Sequence, residues 1–271
     1  MLNTEKRNPK TTHIDKMETC DILTVMNAEN RLVNDAIDLV IPQICLAVDA
    51  IVHAFETGGR LFYIGAGTSG RLAVTDAAEC PPTFGVDRAL VTGIIAGGEK
   101  SMTQAAEAEE DRADMGAADL LAHHIHPNDV VVGLSAAGNA AYVAGALRCA
   151  KQNGCTTIGI FCNAGTLLDE ISDIPICVDT GPEVITGSTR LKAGTAQKLV
   201  LNMLSTASMI KTGKVYENLM INLKPVNQKL KNRCIRIISE ITGANSEACA
   251  HALDQTGGNV RQAIQWMKER G

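Results

Sequence analysis

Aromatic side chains are scarce: three tyrosines, four phenylalanines and one tryptophan make up 3% of 271 residues. The core must then be packed from Ala, Val, Leu, Ile and Met rather than from rings. Runs of Lys and Arg are missing and the formal net charge is −5, which argues against the basic footprint of a nucleic-acid-binding surface. No apolar stretch reaches the ~20 residues of a membrane-spanning helix. The opening MLNTEKRNPKTTHIDK is polar and has no apolar signal core. The expectation is a cytoplasmic protein with neither membrane nor nucleic acid among its partners. The nine cysteines include no CxxC pair, so no zinc or redox motif is indicated. Cys45, Cys149, Cys155, Cys162, Cys177 and Cys234 sit among apolar or small neighbours and are expected as reduced, buried thiols. The six histidines offer neither HExxH nor an HxH pair with an acidic third ligand, so no metal is expected.

What is present is 45% hydrophobic and 20% charged, ordinary for a globular chain able to bury a large core and carry a small appendage. Over residues 14–56, Ile22, Val25, Met26, Val33, Ile37, Val40, Ile44, Val48, Ile51 and Phe55 recur at spacings of three and four. That predicts two or three amphipathic helices, ended by Thr57-Gly58-Gly59. From residue 60 the pattern changes. Strands are predicted at 61–64, 89–95, 130–134, 156–161 and 175–178, with helices near 70–78, 101–123, 139–153 and 165–171. Apolar strands separated by helices imply a parallel sheet covered on both faces. Five of them fit an α/β, doubly wound, flavodoxin-like sheet with ligands at the carboxyl ends of its strands. A long helix over 189–211 follows, closed by Gly213. Beyond Pro225 come a basic helix over 227–242, a short one capped by Ser246 and another capped by Asn259. The expected division is an N-terminal helical segment over 1–59, an α/β domain over 60–224 and a C-terminal helical module over 225–271.

Residues 60–85, RLFYIGAGTSGRLAVTDAAECPPTFG, join a buried strand to a helix through three glycines and two hydroxyls. Such a turn presents backbone N–H groups to an anion, with Gly67, Thr68, Ser69 and Gly70 as candidate contacts. Gly65, Gly67 and Gly70 also fit GxGxxG. The second predicted strand, however, runs into Ala96-Gly97-Gly98 where a dinucleotide site wants an acid. A tight turn that merely needs glycine is the plain alternative. Glu79 lies one turn on, and Pro81 and Pro82 are expected to stop the helix and stiffen a loop carrying that carboxylate. The acidic segment AAEAEEDRAD, residues 105–114, is expected to be helical and mostly solvated. Glu107 and Glu110 share one face, so Glu110 can turn inward. A second strand–turn–helix, VVVGLSAAGNAAYV at 130–143, offers Ser135, Gly138 and Asn139, and the two turns belong side by side at a switch point. TGSTRLKAGTAQK at 186–198 adds Ser188 and Thr189, as helix caps or ligand contacts, with charge from Arg190 and Lys192.

Together these segments resemble the N-acetylmuramic acid 6-phosphate etherases over nearly the whole chain. The most specific are GAGTSGRLAVTDAAECPPTFGV, IIAGGE at 94–99, and TGSTRLKAGTAQKLVLNMLSTASMIKTGKVYENLM at 186–220. The resemblance implies a sugar-isomerase (SIS) domain, usually a homodimer, followed by a ubiquitin-associated-like helical module. It implies cleavage of the D-lactyl ether of a sugar phosphate, giving N-acetylglucosamine 6-phosphate and D-lactate, in recycling of cell-wall sugars. It further implies Glu79 as proton donor to the departing lactate and Glu110 as the base at carbon 2, with no cofactor. The aldehyde of the open-chain sugar acidifies the carbon 2 proton, so two carboxyl groups in opposite protonation states suffice. One turn departs from the family pattern: AAGNAAYV at 136–143 stands where ASGRTPYV is usual. Two other readings share the domain type. One is a non-catalytic sugar-phosphate sensor similar to the glucokinase regulatory protein, motivated by the altered turn. The other is an aldose–ketose isomerase.

Overall fold

The computed structural model describes residues 1–104, 107–223, 225 and 227–270, and nothing of the Glu107 side chain. Three single turns of 3-10 helix, at Asn3–Glu5, Pro9–Thr11 and Ile14–Lys16, lead into α1 (Thr19–Asp38) and α2 (Ile41–Glu56). The spacing of three and four selects their inner faces: Val33, Ile37, Ile44, Val48 and Ile51 are buried. As the glycine pair predicts, Thr57 N–H turns back to the carbonyls of His53 and Ala54 while Gly58 adopts φ +80°.

An alternating series follows: β1 (Leu61–Gly65), α3 (Gly67–Phe84), β2 (Val91–Ile95), α4 (Ala113–Leu121), β3 (Val130–Leu134), α5 (Ala141–Gln152), β4 (Thr156–Phe161), α6 (Leu167–Ile171), β5 (Ile174–Cys177) and α7 (Lys192–Lys211). All five strands pair in parallel, in the order β2-β1-β3-β4-β5. This is the expected flavodoxin-like order, with its reversal between β1 and β3. Every residue of those two strands is buried, because helices cover both faces. One core cluster gathers Phe62, Ile64, Leu120, Tyr142, Leu147 and Phe161. On its outer side α4 and α5 meet backbone to backbone. A Cβ at Gly116 would lie 1.8 Å from the Tyr142 carbonyl oxygen, and one at Gly145 would lie 2.0 Å from that of Ala113.

Several expectations need correction. Pro81 and Pro82 do not stop α3, which runs through them to Phe84. Each proline removes one i→i−4 bond, yet the helix ends only where Gly85 takes φ +66° and returns its N–H to the Pro81 carbonyl. Residues 101–123 are not one helix: 3-10 turns at Gly98–Met102 and Glu107–Glu109 precede α4. A continuous helix there would have stacked like charges on neighbouring turns. The long helix starts at Lys192 rather than 189. Cys45 is exposed and Cys177 half-buried, whereas the other four expected thiols are buried. Burial pushes the Cys155 and Cys177 thiols up to about 11.

The chain forms two compact units, Met1–Ala78 with Ala89–Thr206, and Glu79–Arg88 with Ala207–Gly271. The second contains α8 (Gln228–Thr242), α9 (Ser246–Gln255) and α10 (Val260–Lys268). These close on Cys234, Ile237, Ile238, Cys249, Leu253 and Ile264. Asn259 caps α10 as expected, accepting from Gln262 N–H. The cap of α9 is Asn245, which accepts from Ala248 N–H, and Ser246 is the first helical residue. Asparagine caps as well as serine, so adjacent candidates are not separable by type alone. Among the described residues no single helix is long and apolar enough to cross a membrane.

Candidate functional site

In the first unit, Gly65 at the end of β1 pairs in register with Leu134 at the end of β3. The two glycine-containing turns that follow are therefore neighbours, as expected. The first is tighter than a loop. Helix α3 begins at Gly67, so Thr68 and Ser69 lie in its first turn. A Cβ at Gly65 would fall 2.8 Å from Gly70 N, and one at Gly70 would fall 2.6 Å from the Gly65 carbonyl oxygen. Those two glycines let the helix start directly against the strand end. Gly67 has open space and is required only by its φ of +52°. First-turn N–H groups have no partner within a helix and sit at the positive end of its dipole, so this end of α3 suits an anion.

The second turn is closed on itself. The buried Ser135 accepts from Gly138 N–H through Oγ at 3.1 Å. Gly138 has φ +85° and leaves no room for a Cβ beside Thr166. Asn139 Oδ1 accepts from Leu167 N–H at 3.0 Å, so its carbonyl end holds the start of α6. Where the family pattern has a cation, this chain has a local helix anchor.

Segment 186–198 reaches the first turn through α7. Ser69 Oγ donates to Gln197 Oε1 at 2.7 Å, and a Cβ at Gly194 would touch the Thr68 methyl at 3.6 Å and the Thr189 carbonyl oxygen at 3.5 Å. Further along, Asp76 Oδ1 accepts from Asn202 Nδ2 at 2.6 Å and from Ser205 Oγ at 3.3 Å. Helices α3 and α7 thus run side by side in the same direction. Burial pushes the Asp76 carboxyl up, against hydrogen bonds from Asn202, Ser205 and Tyr63.

Neither Ser188 nor Thr189 caps α7. That is done by Glu183, fully buried, whose two carboxylate oxygens accept from Lys192 N–H at 3.0 Å and Ala193 N–H at 2.9 Å. Nor is Lys192 a free charge for a ligand. It is 1% exposed and its Nζ pairs with Glu29 at 2.8 Å. Glu29 also accepts from Asn8 Nδ2 and Lys10 Nζ. Burial alone would raise the Glu29 carboxyl. Hydrogen bonds from Lys192, Lys10 and Asn8 outweigh it and hold the group at about 2. The position of Lys192 beside Ser188 and Thr189 concealed this role, and its partner lies 163 residues away.

Glu110 stands in a turn before α4, not on a helix, and its side chain is exposed rather than inward. Its carbonyl accepts from Tyr142 N–H at 2.9 Å, which ties it to the first turn of α5, just beyond the Ser135 turn. The expected pairing with Glu107 lies outside the described residues. Glu79 belongs to the second unit. It is carried by α3 itself, exposed, between the exposed Ala78 and the buried Cys80.

Comparison with known proteins gives this fold and these residues a context. A family model of the glucokinase regulatory protein N-terminal SIS domain matches residues 43–151, and one of the SIS domain matches 106–207. Among solved structures, a phosphoheptose isomerase from Neisseria gonorrhoeae superposes with a TM-score of 0.56 at 18% identity, covering 70% of this chain and 98% of that one. That is a likeness of fold. Two relatives named N-acetylmuramic acid 6-phosphate etherase are similar in sequence. The one from an Exiguobacterium species is 51% identical over 97% of this chain and 90% of its own length. The one from Serratia proteamaculans is 52% identical over 97% and 89%. With half the residues shared along nearly the full length, the chain belongs to the N-acetylmuramic acid 6-phosphate etherases.

Proposed function

We propose that this protein cleaves the D-lactyl ether of N-acetylmuramic acid 6-phosphate, releasing D-lactate and N-acetylglucosamine 6-phosphate by elimination followed by hydration. The observation that carries this reading is the near-full-length identity of about half with relatives bearing that name. The neighbouring turns after β1 and β3 support it, since the start of α3 presents first-turn N–H groups beside Thr68 and Ser69, next to the Ser135 turn, where a sugar phosphate would lie.

In this reading the ring-opened aldehyde acidifies the proton on carbon 2, and the Glu110 carboxylate removes it. The lactyl oxygen leaves carbon 3 as protonated Glu79 donates to it. Water then adds to the unsaturated aldehyde, with the two groups in reversed roles. Both side chains are exposed, as groups that must meet a substrate should be. Positioned acids and bases contribute ~10²–10⁴-fold each. Gly67, Gly70, Gly138, Asn139, Ser188 and Thr189 are proposed to complete the binding surface. The working form is proposed to be a cytoplasmic homodimer acting in cell-wall sugar recycling, with residues 225–271 as an accessory helical module.

The test is D-lactate release from purified protein and N-acetylmuramic acid 6-phosphate, read with a lactate dehydrogenase couple. Glu79→Ala and Glu110→Ala should each lower kcat by ~100-fold or more while product binding persists. Binding without lactate release in the unaltered protein would favour the regulatory reading instead. Ketose formation would favour an isomerase.

A further inference from the structure

The hydroxyl of Ser69 is not available to an anion as it stands, because its proton is directed to Gln197 Oε1 at 2.7 Å. The other end of that amide is unsatisfied. Gln197 is 1% exposed, and its Nε2 is buried with no hydrogen-bond partner among the described residues. A buried N–H without an acceptor is costly, and native folds rarely keep one without a reason. The two ends of the amide have the same size, so half a turn about its last torsion exchanges oxygen and nitrogen with no change in packing. In the turned state Nε2–H donates to Ser69 Oγ, and the Ser69 proton is released toward the open end of α3. With no acceptor there the turned state gains nothing, which accounts for the resting arrangement.

We propose that Gln197 is a positioning residue whose amide turns over when an anionic oxygen occupies the first turn of α3, converting Ser69 from a donor to Gln197 into a donor to the ligand. The resulting chain runs from Nε2–H to Oγ, and from O–H to the anion. Each bond in it polarises the next, and the last is charge-assisted. The pivot is firm. Gly194 and Gln197, three apart on one face of α7, pack on Thr68 and Ser69. The start of α7 is clamped by Glu183 and by the Lys192–Glu29 pair. The inference deepens the proposed function, and rests on its reading that α3 receives the phosphate monoester of the sugar.

Calorimetric titration with N-acetylglucosamine 6-phosphate tests it. Gln197→Glu keeps the shape and, when ionised, can only accept, so at a pH where it is ionised it holds the Ser69 proton and should weaken binding at least tenfold. Gln197→Met leaves Ser69 free to donate and should weaken it threefold or less. Equal binding by Gln197→Glu, or equal loss in both variants, overturns the relay while leaving the anion reading intact. An unaltered protein that does not bind the ligand overturns the anion reading and the relay together. The second measurement needs no altered protein beyond assignment. The side-chain amide resonance of Gln197, identified by its loss in Gln197→Met, should shift on saturation with ligand; an unmoved resonance overturns the relay.

Discussion

Lys192 and Glu29 carry opposite charges at positions where water is almost absent, 1% and 2% exposed. A buried charge left wholly uncompensated typically costs ~3–5 kcal/mol, but without Lys192 Glu29 would keep its contacts with Lys10 and Asn8. Lys192→Met should lose part of that unfolding free energy in a urea titration, despite similar volume and greater apolarity. Glu29 also gives the fold an acid limit. Its folded value of about 2 lies below the ordinary 4.5. Its stabilisation is therefore fully present above pH 4.5 and drains away as pH falls toward 2. Unfolding free energy followed between those pH values should decline, and less steeply in Lys192→Met. At this scale little was legible in the sequence. Lys192 reads as a ligand charge because its partner is remote. Glu79 stands out in the sequence as an acid beside the glycine turn and Glu110 as one able to face inward, but their catalytic roles come only from the family resemblance. Ser188 and Thr189 read as caps because the actual cap, Glu183, acts through tertiary contact rather than through local spacing.

Elements were far more legible, and for a physical reason. Strands buried on both faces must be apolar throughout, so all five predicted strands lie close to the observed ones. Helix limits depend on single hydrogen bonds and on glycine placement. That is why α3 starts earlier than predicted and passes its prolines, and why Glu110 stands between short turns. The contact of α4 with α5 is also invisible in periodicity, since it rests on two glycines rather than on apolar stripes. Gly116→Ala should push α4 away from Tyr142 and destabilise the fold by ~1–3 kcal/mol or more. Because Tyr142 N–H holds the Glu110 carbonyl, the same substitution should also lower kcat for lactate release. A fall in melting temperature with unchanged kcat would show that Glu110 is not positioned by this contact.

For the molecule as a whole, the α/β class, the strand order and the C-terminal helical cluster follow from the alternation of patterns along the chain. Oligomeric state does not. Leu23, Leu32, Leu39, Ile41 and Leu46 on α1, α2 and the turn between them are exposed large apolar residues, more than scattered surface leucines would require. If a second copy covers them, sedimentation should give twice the 28.7 kDa chain mass. The double substitution Leu39→Lys with Leu46→Lys should return the single-chain value. A 28.7 kDa species from the unaltered protein at working concentration would argue against the homodimer.

Residues 4–29 find partners among residues made much later. Thr4 meets Asn163, Thr11 meets the Val184 carbonyl, and Glu29 meets Lys192. On a ribosome adding ~5–20 residues each second, the 163-residue interval between Glu29 and Lys192 corresponds to roughly 8–33 s. Throughout that interval Glu29 lacks its buried lysine, and α1 must hold that carboxylate partly in water until Lys192 emerges.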